Sequence, residues 1–177
     1  KEIFEQPQAI RDTLESRITK GSVLTSAFGH NAKAIFKNTK HIQIIACGTS
    51  YHAGLVAKYW LEDIAKIPTH IEVASEYRYR NPVILDDTLF ITISQSGETA
   101  DTLEALKAIK KRSKKIHTLT ICNSAESSLT RESELTFLTH AGPEIGVAST
   151  KAFTTQLVSL ALLSVAIGKC HNQVSKQ

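Results

Sequence analysis

Methionine is absent from this chain of 177 residues, so the sequence does not begin with an initiator residue. We therefore expect it to be a piece of a larger protein. Cysteine is scarce: Cys47, Cys122 and Cys170 are widely spaced, and no two of them form a Cys-x-x-Cys pair. An odd and scattered set of this kind argues against a disulfide framework and favours reduced thiols in the cytoplasm.

Several short motifs that define common site classes are also missing. The sequence has no His-Glu-x-x-His run and no paired cysteine and histidine spacing, so we expect no metal site. It lacks both the Gly-x-x-x-x-Gly-Lys-Ser/Thr motif of nucleoside triphosphatases and the Gly-x-Gly-x-x-Gly motif of dinucleotide-binding proteins, and we expect no cofactor. It also lacks the Gly-x-Ser-x-Gly motif of α/β-hydrolases.

Long hydrophobic runs and strong charge are absent as well. The longest apolar stretch, residues 157–167, is shorter than the ~20 residues that cross a bilayer, and no signal peptide opens the chain, so we predict no membrane association. The net charge is only +4, and the densest basic run, residues 107–115, contains no aromatic residue on which a base could stack. That run fits the cationic end of a helix better than a nucleic-acid surface.

The chain contains five short apolar runs separated by segments with helical periodicity. Three runs, residues 41–46, 88–93 and 116–121, are rich in Ile, Leu and Thr without polar alternation, which is typical of strands buried on both faces. The other two runs are residues 70–74 and 135–139. Such strands alternating with helices predict a three-layer α/β sandwich around a mostly parallel five-stranded sheet.

The predicted helices between and after these strands cover residues 51–67, 75–80, 100–112, 127–132 and 150–167. A further helix is expected near the start of the chain, because Ile10, Leu14 and Ile18 recur at a spacing of four, and Gly21 is expected to stop it. A weaker helical stretch follows at residues 27–36. We predict an N-terminal helical segment, residues 1–40, packed on one α/β domain, residues 41–177.

Two hydroxyl-rich loops follow the first and third predicted strands. They occupy residues 47–50 and 94–99, and each leads into a helix. Backbone N–H groups at a helix start, together with the positive end of the helix dipole, bind anions and phosphate above all. Ligands of parallel α/β sheets lie beyond the carboxyl ends of the strands. We therefore expect both loops to contribute to one site for a small phosphorylated ligand.

The second of these loops carries the denser set of donors. Gly97 allows a tight turn and a close backbone approach to a ligand, and the amides of residues 96–99 are expected to face the centre of the loop. Ordinary helix-capping loops use the same residue types, but three hydroxyls and an amide in six residues favour a phosphate site. These side chains are Ser94, Gln95, Ser96 and Thr99.

In the first loop, Ser50 is expected to cap a helix that begins at Tyr51 and also to reach the anion. Thr49 is expected to face the hydroxyl groups of the ligand. Cys47 could be a nucleophile, but no histidine and aspartate pair can be placed beside it from the sequence. A small side chain that fills space behind the loop is the simpler interpretation.

A third irregular loop, residues 142–150, precedes the last long apolar helix. Loops of this kind often line sites, and Ser149 or Thr150 is expected to cap the helix. Lys151 could add positive charge near the site. Because a lysine in the first turn opposes the helix dipole, it requires an acidic partner, for which Glu144 is the candidate.

Six segments of the chain together resemble the sugar isomerase (SIS) domain family, which has a flavodoxin-like α/β fold and binds phosphosugars. They are residues 2–7, 46–50, 74–80, 94–102, 121–123 and 144–156. Within the family, the resemblance is strongest to the first isomerase half of the aminotransferases that make glucosamine 6-phosphate and glutamate from fructose 6-phosphate and glutamine, the first step toward UDP-N-acetylglucosamine. It spans nearly the whole chain.

The resemblance implies that five side chains hold the sugar phosphate: Ser50, Ser94, Gln95, Ser96 and Thr99. It also implies that Thr49 and the backbone around Val147 contact sugar hydroxyls, and that Ser149 and Cys47 lie close by. It further implies a larger parent with a glutaminase domain, a second SIS domain and at least two subunits.

The same resemblance places the acid and base groups of the isomerase, a glutamate, a lysine and a histidine, in the second half, with the histidine supplied by a neighbouring subunit. No catalytic residue is therefore expected in this chain, which should bind sugar phosphate without turning it over. One alternative is a phosphosugar sensor of a regulator; a DNA-reading one needs a basic helix-turn-helix segment, and the first forty residues show no such basic face. Another is a stand-alone isomerase, for which Glu98 and Glu144 are the candidate bases.

Overall fold

The computed structural model describes residues 1–113, 115–146 and 148–174. Its N-terminal segment comprises α1 (Glu2–Leu14), an antiparallel hairpin of β1 (Ile18–Thr19) and β2 (Ser22–Val23), a 3-10 turn (Thr25–Phe28) and α2 (Ala32–Asn38). The prediction that Gly21 stops a helix is wrong, because Gly21 lies in the hairpin turn with a φ of +71°, a conformation that glycine adopts without strain. The helix expected over residues 27–36 begins later, at Ala32.

Five parallel strands form the central sheet. They are β3 (His41–Ala46), β4 (Thr69–Val73), β5 (Thr88–Ser94), β6 (Ile116–Cys122) and β7 (Leu135–Leu138). Their order across the sheet is β4-β3-β5-β6-β7. Counted along the chain within this sheet, that is the order 2-1-3-4-5 of flavodoxin-like folds. The predicted fold class is confirmed.

Burial explains why the strands could be recognised. All seven residues of β5 and six of the seven residues of β6 are buried, so these central strands have no polar face to alternate with an apolar one. The edge strand β4 is more open, with His70 exposed. Each of the five predicted runs agrees with its strand to within one residue at either end.

Helices cover both faces of the sheet. They are α3 (Gly48–Trp60), α4 (Ala74–Tyr79), α5 (Ala100–Arg112), α6 (Ser128–Glu132) and α7 (Lys151–Cys170). One apolar cluster packs Ile44 of β3 against α2, α3 and α7, and the other packs Ile45 and Phe90 against α4, α5 and α6. Ile44 and Ile45 belong to different clusters because successive strand side chains point to opposite faces.

The helix predicted over residues 51–67 differs from α3 at both ends. Helix α3 already begins at Gly48, and after Trp60 it continues as one π-helical turn, Leu61–Ala65. Lys66 then adopts a left-handed conformation with a φ of +57°, which ends the helix two residues before Pro68. The early start of α3 changes the role of Ser50, as described below.

The last helix corrects one expectation about membranes. Helix α7 has 20 residues and is long and apolar enough to cross a membrane by length and composition, so the length argument made from residues 157–167 is wrong. However, 56% of its most apolar window is buried inside the protein, where the helix packs on α1 and α3. This packing is that of a core helix.

Candidate functional site

A cleft of about 450 Å³ opens at the carboxyl ends of β3 and β5. These neighbouring strands form the switch point of the sheet, because α3 after β3 and α5 after β5 lie on opposite faces. The lining comes from three loops: Cys47, Gly48, Thr49, Ser50, Ile93, Ser94, Gln95, Ser96, Thr99, Ala148 and Ser149. None of these described lining residues is charged.

The cleft brings together the candidate residues that were chosen from the sequence. All of those in the first two loops line it, including Cys47, and so does Ser149 of the third loop. Val147, whose backbone was expected to meet sugar hydroxyls, lies outside the described residues. Lys151 does not line the cleft.

The second loop is organised by its own hydroxyl groups. The buried Ser94 hydroxyl accepts a hydrogen bond from Gly97 N at 3.0 Å and lies 3.0 Å from the Thr99 hydroxyl. The exposed Ser96 hydroxyl accepts one from Glu98 N at 3.1 Å. Two of the amides expected to face the centre of this loop, those of Gly97 and Glu98, are therefore bonded to hydroxyl groups of the loop itself.

Gly97 is the point at which this loop meets the neighbouring helix. Its φ is +69°, and a Cβ atom built on it would lie 2.1 Å from the Ser127 hydroxyl oxygen and 2.4 Å from the Ser127 Cβ. The carbonyl of Gly97 accepts a hydrogen bond from Leu129 N at 3.1 Å. Only glycine fits this conformation and this close approach.

The first loop forms the start of α3. Cys47 has an extended backbone and occupies the N-cap position, and the helix begins at Gly48. Ser50 is therefore a buried residue of the first turn and not the cap of a helix starting at Tyr51, which corrects that prediction. The exposed Thr49 lies between Gly48 and Ser50 in the cleft wall.

Helices α3 and α5 both begin at the cleft. Among the described residues, no side chain caps either helix, although Cys47 and Thr99 occupy the N-cap positions. The first N–H groups of a helix have no partner within the helix, and together with the helix dipole they produce a positive potential at its start. Two helix starts and seven hydroxyl-bearing or amide side chains thus face a cleft whose described lining carries no charge.

The third loop is held to α7 by a single carboxylate. Glu144 accepts hydrogen bonds from Thr150 N at 2.8 Å, from Ala152 N at 3.2 Å and from the Ser149 hydroxyl at 3.1 Å. The prediction that the Ser149 or Thr150 side chain caps this helix is therefore wrong, because Glu144 takes the N–H groups of its first turn. This places Ser149 beside the cleft.

Lys151 has a different partner from the one expected. Its side chain is only 5% exposed, and Nζ lies 2.5 Å from a carboxylate oxygen of Glu5 on α1. Glu144 is occupied by α7 and does not pair with it. The positive charge of Lys151 is thus neutralised by α1.

The two carboxylates considered as bases both hold helix starts. Glu98 accepts a hydrogen bond from Ser128 N at 2.6 Å, at the first residue of α6. The Ser128 side chain, and after it the Ser128 amide, hold the pKa of Glu98 below its usual range. Glu144 holds α7 in the same way. Both carboxylates are therefore already engaged as hydrogen-bond acceptors in the described structure.

Sequence reasoning missed two residues that shape the site. Asn123, after β6, accepts from Ala141 N at 2.7 Å and donates to the Gly142 carbonyl at 2.8 Å, so it fixes the beginning of the third loop. Glu2 of α1 binds the middle of the same loop. Both lie in segments that carry the family resemblance, but nothing in the local pattern shows which loop they contact.

A second cavity, of about 340 Å³, lies at the opposite end of the sheet, beside the first residues of β3, β5 and β6. Its walls include Ile84 and Phe90, and Tyr77, whose burial raises its pKa to about 12. Arg80 at its edge is already bonded to Glu72 at 2.7 and 2.5 Å. The cleft at the carboxyl ends of the strands differs from this cavity in combining two helix starts with a hydroxyl-rich lining.

Comparison with known proteins agrees with this geometry. The profile of the SIS domain family matches residues 35–166. The chain is 58% identical over all 177 residues to the glutamine–fructose-6-phosphate aminotransferase [isomerizing] of Idiomarina loihiensis, and 61% identical over 169 residues, 96% of the chain, to that of Pseudomonas putida. It spans only 29% and 28% of the length of these two proteins.

A solved structure is similar over almost the whole chain. The C-terminal domain of the glucosamine-fructose-6-phosphate aminotransferase from Francisella tularensis superposes with a TM-score of 0.94 at 52% identity, covering 98% of this chain and 48% of that one. The resemblance seen in the sequence is thereby confirmed. With the family profile matched over residues 35–166 and the fold shared, this chain belongs to the SIS domain family.

Proposed function

We propose that this chain binds a sugar phosphate, fructose 6-phosphate or glucosamine 6-phosphate, in the cleft at the carboxyl ends of β3 and β5. The observation that carries this proposal is the meeting of two helix starts without side-chain caps in one uncharged, hydroxyl-lined cleft. Phosphate is the common metabolite group that accepts many hydrogen bonds from such neutral donors.

The phosphate lies against the first and second loops in this proposal. Ser50, Ser96 and Thr99 donate hydrogen bonds to it from their hydroxyl groups, and Gln95 donates one from its side-chain amide. Ser94 holds the second loop in shape through its hydrogen bonds with Gly97 and Thr99. The sugar then extends toward the third loop. There Thr49, Ser149 and the backbone around Val147 contact its hydroxyl groups.

We further propose that the parent protein is the aminotransferase that makes glucosamine 6-phosphate and glutamate from fructose 6-phosphate and glutamine. The names of the relatives and their identity of 53–61% support an enzyme over a sugar-sensing regulator. Because this chain spans under a third of those relatives, we propose that a glutaminase domain and a second SIS domain complete the parent, which acts as at least a dimer in the cytoplasm. The free cysteines support that location.

Amide chemical shifts measured by NMR test the position of the ligand. On addition of fructose 6-phosphate, the largest shift changes are expected at residues 48–50, 94–96, 99 and 148–149, because these line the cleft. Plain fructose serves as the control and should leave the first two loops unchanged. Changes centred on residues 80–85, beside the second cavity, would contradict the proposed site.

The isolated chain is expected to bind fructose 6-phosphate without isomerising it. Proton transfer between C1 and C2 needs a base within hydrogen-bond reach, and Glu98 and Glu144 both hold helix starts. Production of glucose 6-phosphate is the measurement. Turnover that is present in the natural chain and lost in Ser96→Ala would contradict the prediction, whereas turnover equal in both would reveal a contaminating isomerase.

A further inference from the structure

We propose that helix α1 positions the sugar-contacting third loop, and that Glu2 is the residue through which it does so. The inference rests on the proposed function, because it assigns α1 to the sugar end of that site and leaves the phosphate end to the other two loops. Glu2 acts through the loop and touches no ligand, so it is a positioning residue.

The carboxylate of Glu2 binds two consecutive amides of the third loop. One oxygen accepts hydrogen bonds from Ile145 N at 2.6 Å and from Gly146 N at 3.2 Å, and the other lies 3.3 Å from Gly146 N. These amides, first Ile145 and then Gly146, hold the pKa of Glu2 below its usual range. The ionised carboxylate is thus the form that the loop binds.

The same face of α1 also holds the start of α7. Glu5 pairs with the buried Nζ of Lys151 at 2.5 Å, and Gln6 is hydrogen-bonded to the Thr154 hydroxyl. Glu2, Glu5 and Gln6 are spaced i, i+3 and i+4, which places them on one side of a helix. Helix α1 therefore contacts both the third loop and the helix that follows it.

The loop residues that Glu2 binds lie only a few positions along the chain from residues that line the cleft. Ala148 and Ser149 line the cleft, and Ser149 is bonded to Glu144, which precedes the Ile145 amide that Glu2 binds. Loss of the Glu2 contact frees the loop on its outer side, while Glu144 still ties it to α7. The Ser94–Thr99 hydrogen bonds at the phosphate end are made within the second loop and stay in place.

Gly146 offers an independent way to break the same contact. A Cβ atom built on it would lie 2.8 Å from a carboxylate oxygen of Glu2. That oxygen is the far end of a flexible side chain, so Gly146→Ala should push the carboxylate away without unfolding the protein. The Gly146→Ala substitution leaves the charge and the sequence of α1 unchanged.

The test is calorimetric titration of four variants with fructose 6-phosphate and with inorganic phosphate. We expect Glu2→Ala and Gly146→Ala each to weaken fructose 6-phosphate binding roughly fivefold to tenfold, the size of one or two lost hydrogen bonds, with phosphate affinity unchanged. The double variant should lose no more than either single one, because both remove one contact. Glu15→Ala, which removes an exposed carboxylate at the other end of α1, should match the natural chain.

Two outcomes would overturn this inference and leave the proposed function intact. Either the natural chain binds fructose 6-phosphate and Glu2→Ala binds it equally well, or Glu2→Ala weakens sugar phosphate and inorganic phosphate by the same factor, as a general loss of structure would. If the natural chain binds neither ligand, the proposed function fails and the inference fails with it. A selective loss in both single variants supports the role of α1.

Discussion

Replacing Gly97 by alanine is expected to lower the free energy of unfolding by about 3 kcal/mol and to abolish detectable fructose 6-phosphate binding. The left-handed φ of +69° costs an L-residue about 1–2 kcal/mol, and the overlap of the new Cβ with Ser127 adds an overpacking cost of about 1–3 kcal/mol. The loop can relieve the overlap only by moving away from α6, which displaces Ser94, Ser96 and Thr99. Thermal unfolding should show a decrease in Tm of about 6–12 °C.

Gly48→Ala is the matched control for this prediction. Gly48 also has a positive φ, +56°, but nothing in the described structure lies within 4 Å of a Cβ atom built there. Only the conformational cost applies, so we expect a loss of about 1 kcal/mol and a decrease in Tm of about 2–4 °C. Equal losses of stability in Gly97→Ala and Gly48→Ala would show that the contact with Ser127 is unimportant.

Ser94→Ala and Ser96→Ala are expected to separate stability from binding. The Ser94 hydroxyl is buried and its loss leaves Gly97 N and the Thr99 hydroxyl without this partner, which costs about 1–3 kcal/mol. The Ser96 side chain is exposed, so its removal should change stability by less than about 0.5 kcal/mol. Both variants should bind fructose 6-phosphate at least roughly tenfold more weakly. Ser96→Ala loses a hydrogen bond to the charged phosphate, and Ser94→Ala loses the hydrogen bonds that shape the loop around the phosphate.

Chemical denaturation gives the stability of the two serine variants, and calorimetry gives their affinity. Ser128→Ala is a suitable control, because this serine lies on α6 and does not line the cleft. The role assigned to the second loop is wrong if Ser96→Ala keeps its full affinity for fructose 6-phosphate. It is also wrong if Ser94→Ala is as stable as Ser96→Ala.

The sheet and the place of the site were predictable because each depends on short stretches of sequence. Runs such as residues 88–93 carry no polar alternation, and in the folded chain β5 is buried on both faces. Once the strands are known to be parallel, their carboxyl ends must share one edge of the sheet. The loops after β3 and β5 therefore meet there, as the cleft shows.

The connections made by carboxylates could not be predicted in the same way. Glu2 reaches Ile145, 143 residues further along the chain, and Glu98 reaches Ser128 on another helix. From its place in the sequence, Glu98 is expected to interact with the start of α5, which follows it, and Ser149 or Thr150 is expected to cap α7. In α7 the first N–H groups are taken by Glu144, six residues before Thr150 in the preceding loop, a position that the N-cap rule does not consider. The contacts of Glu2 and Glu98 join segments far apart in the sequence and depend on how the helices pack.

Calorimetric titration of the natural chain with fructose 6-phosphate, fructose and inorganic phosphate tests the central claim most directly. If neutral donors at two helix starts hold the phosphate while the third loop meets the sugar, fructose 6-phosphate should bind more tightly than inorganic phosphate. It should also bind at least roughly a hundredfold more tightly than fructose, which lacks the hydrogen bonds to a charged group. Equal affinity for fructose 6-phosphate and fructose would contradict the assignment of the cleft as a phosphate site.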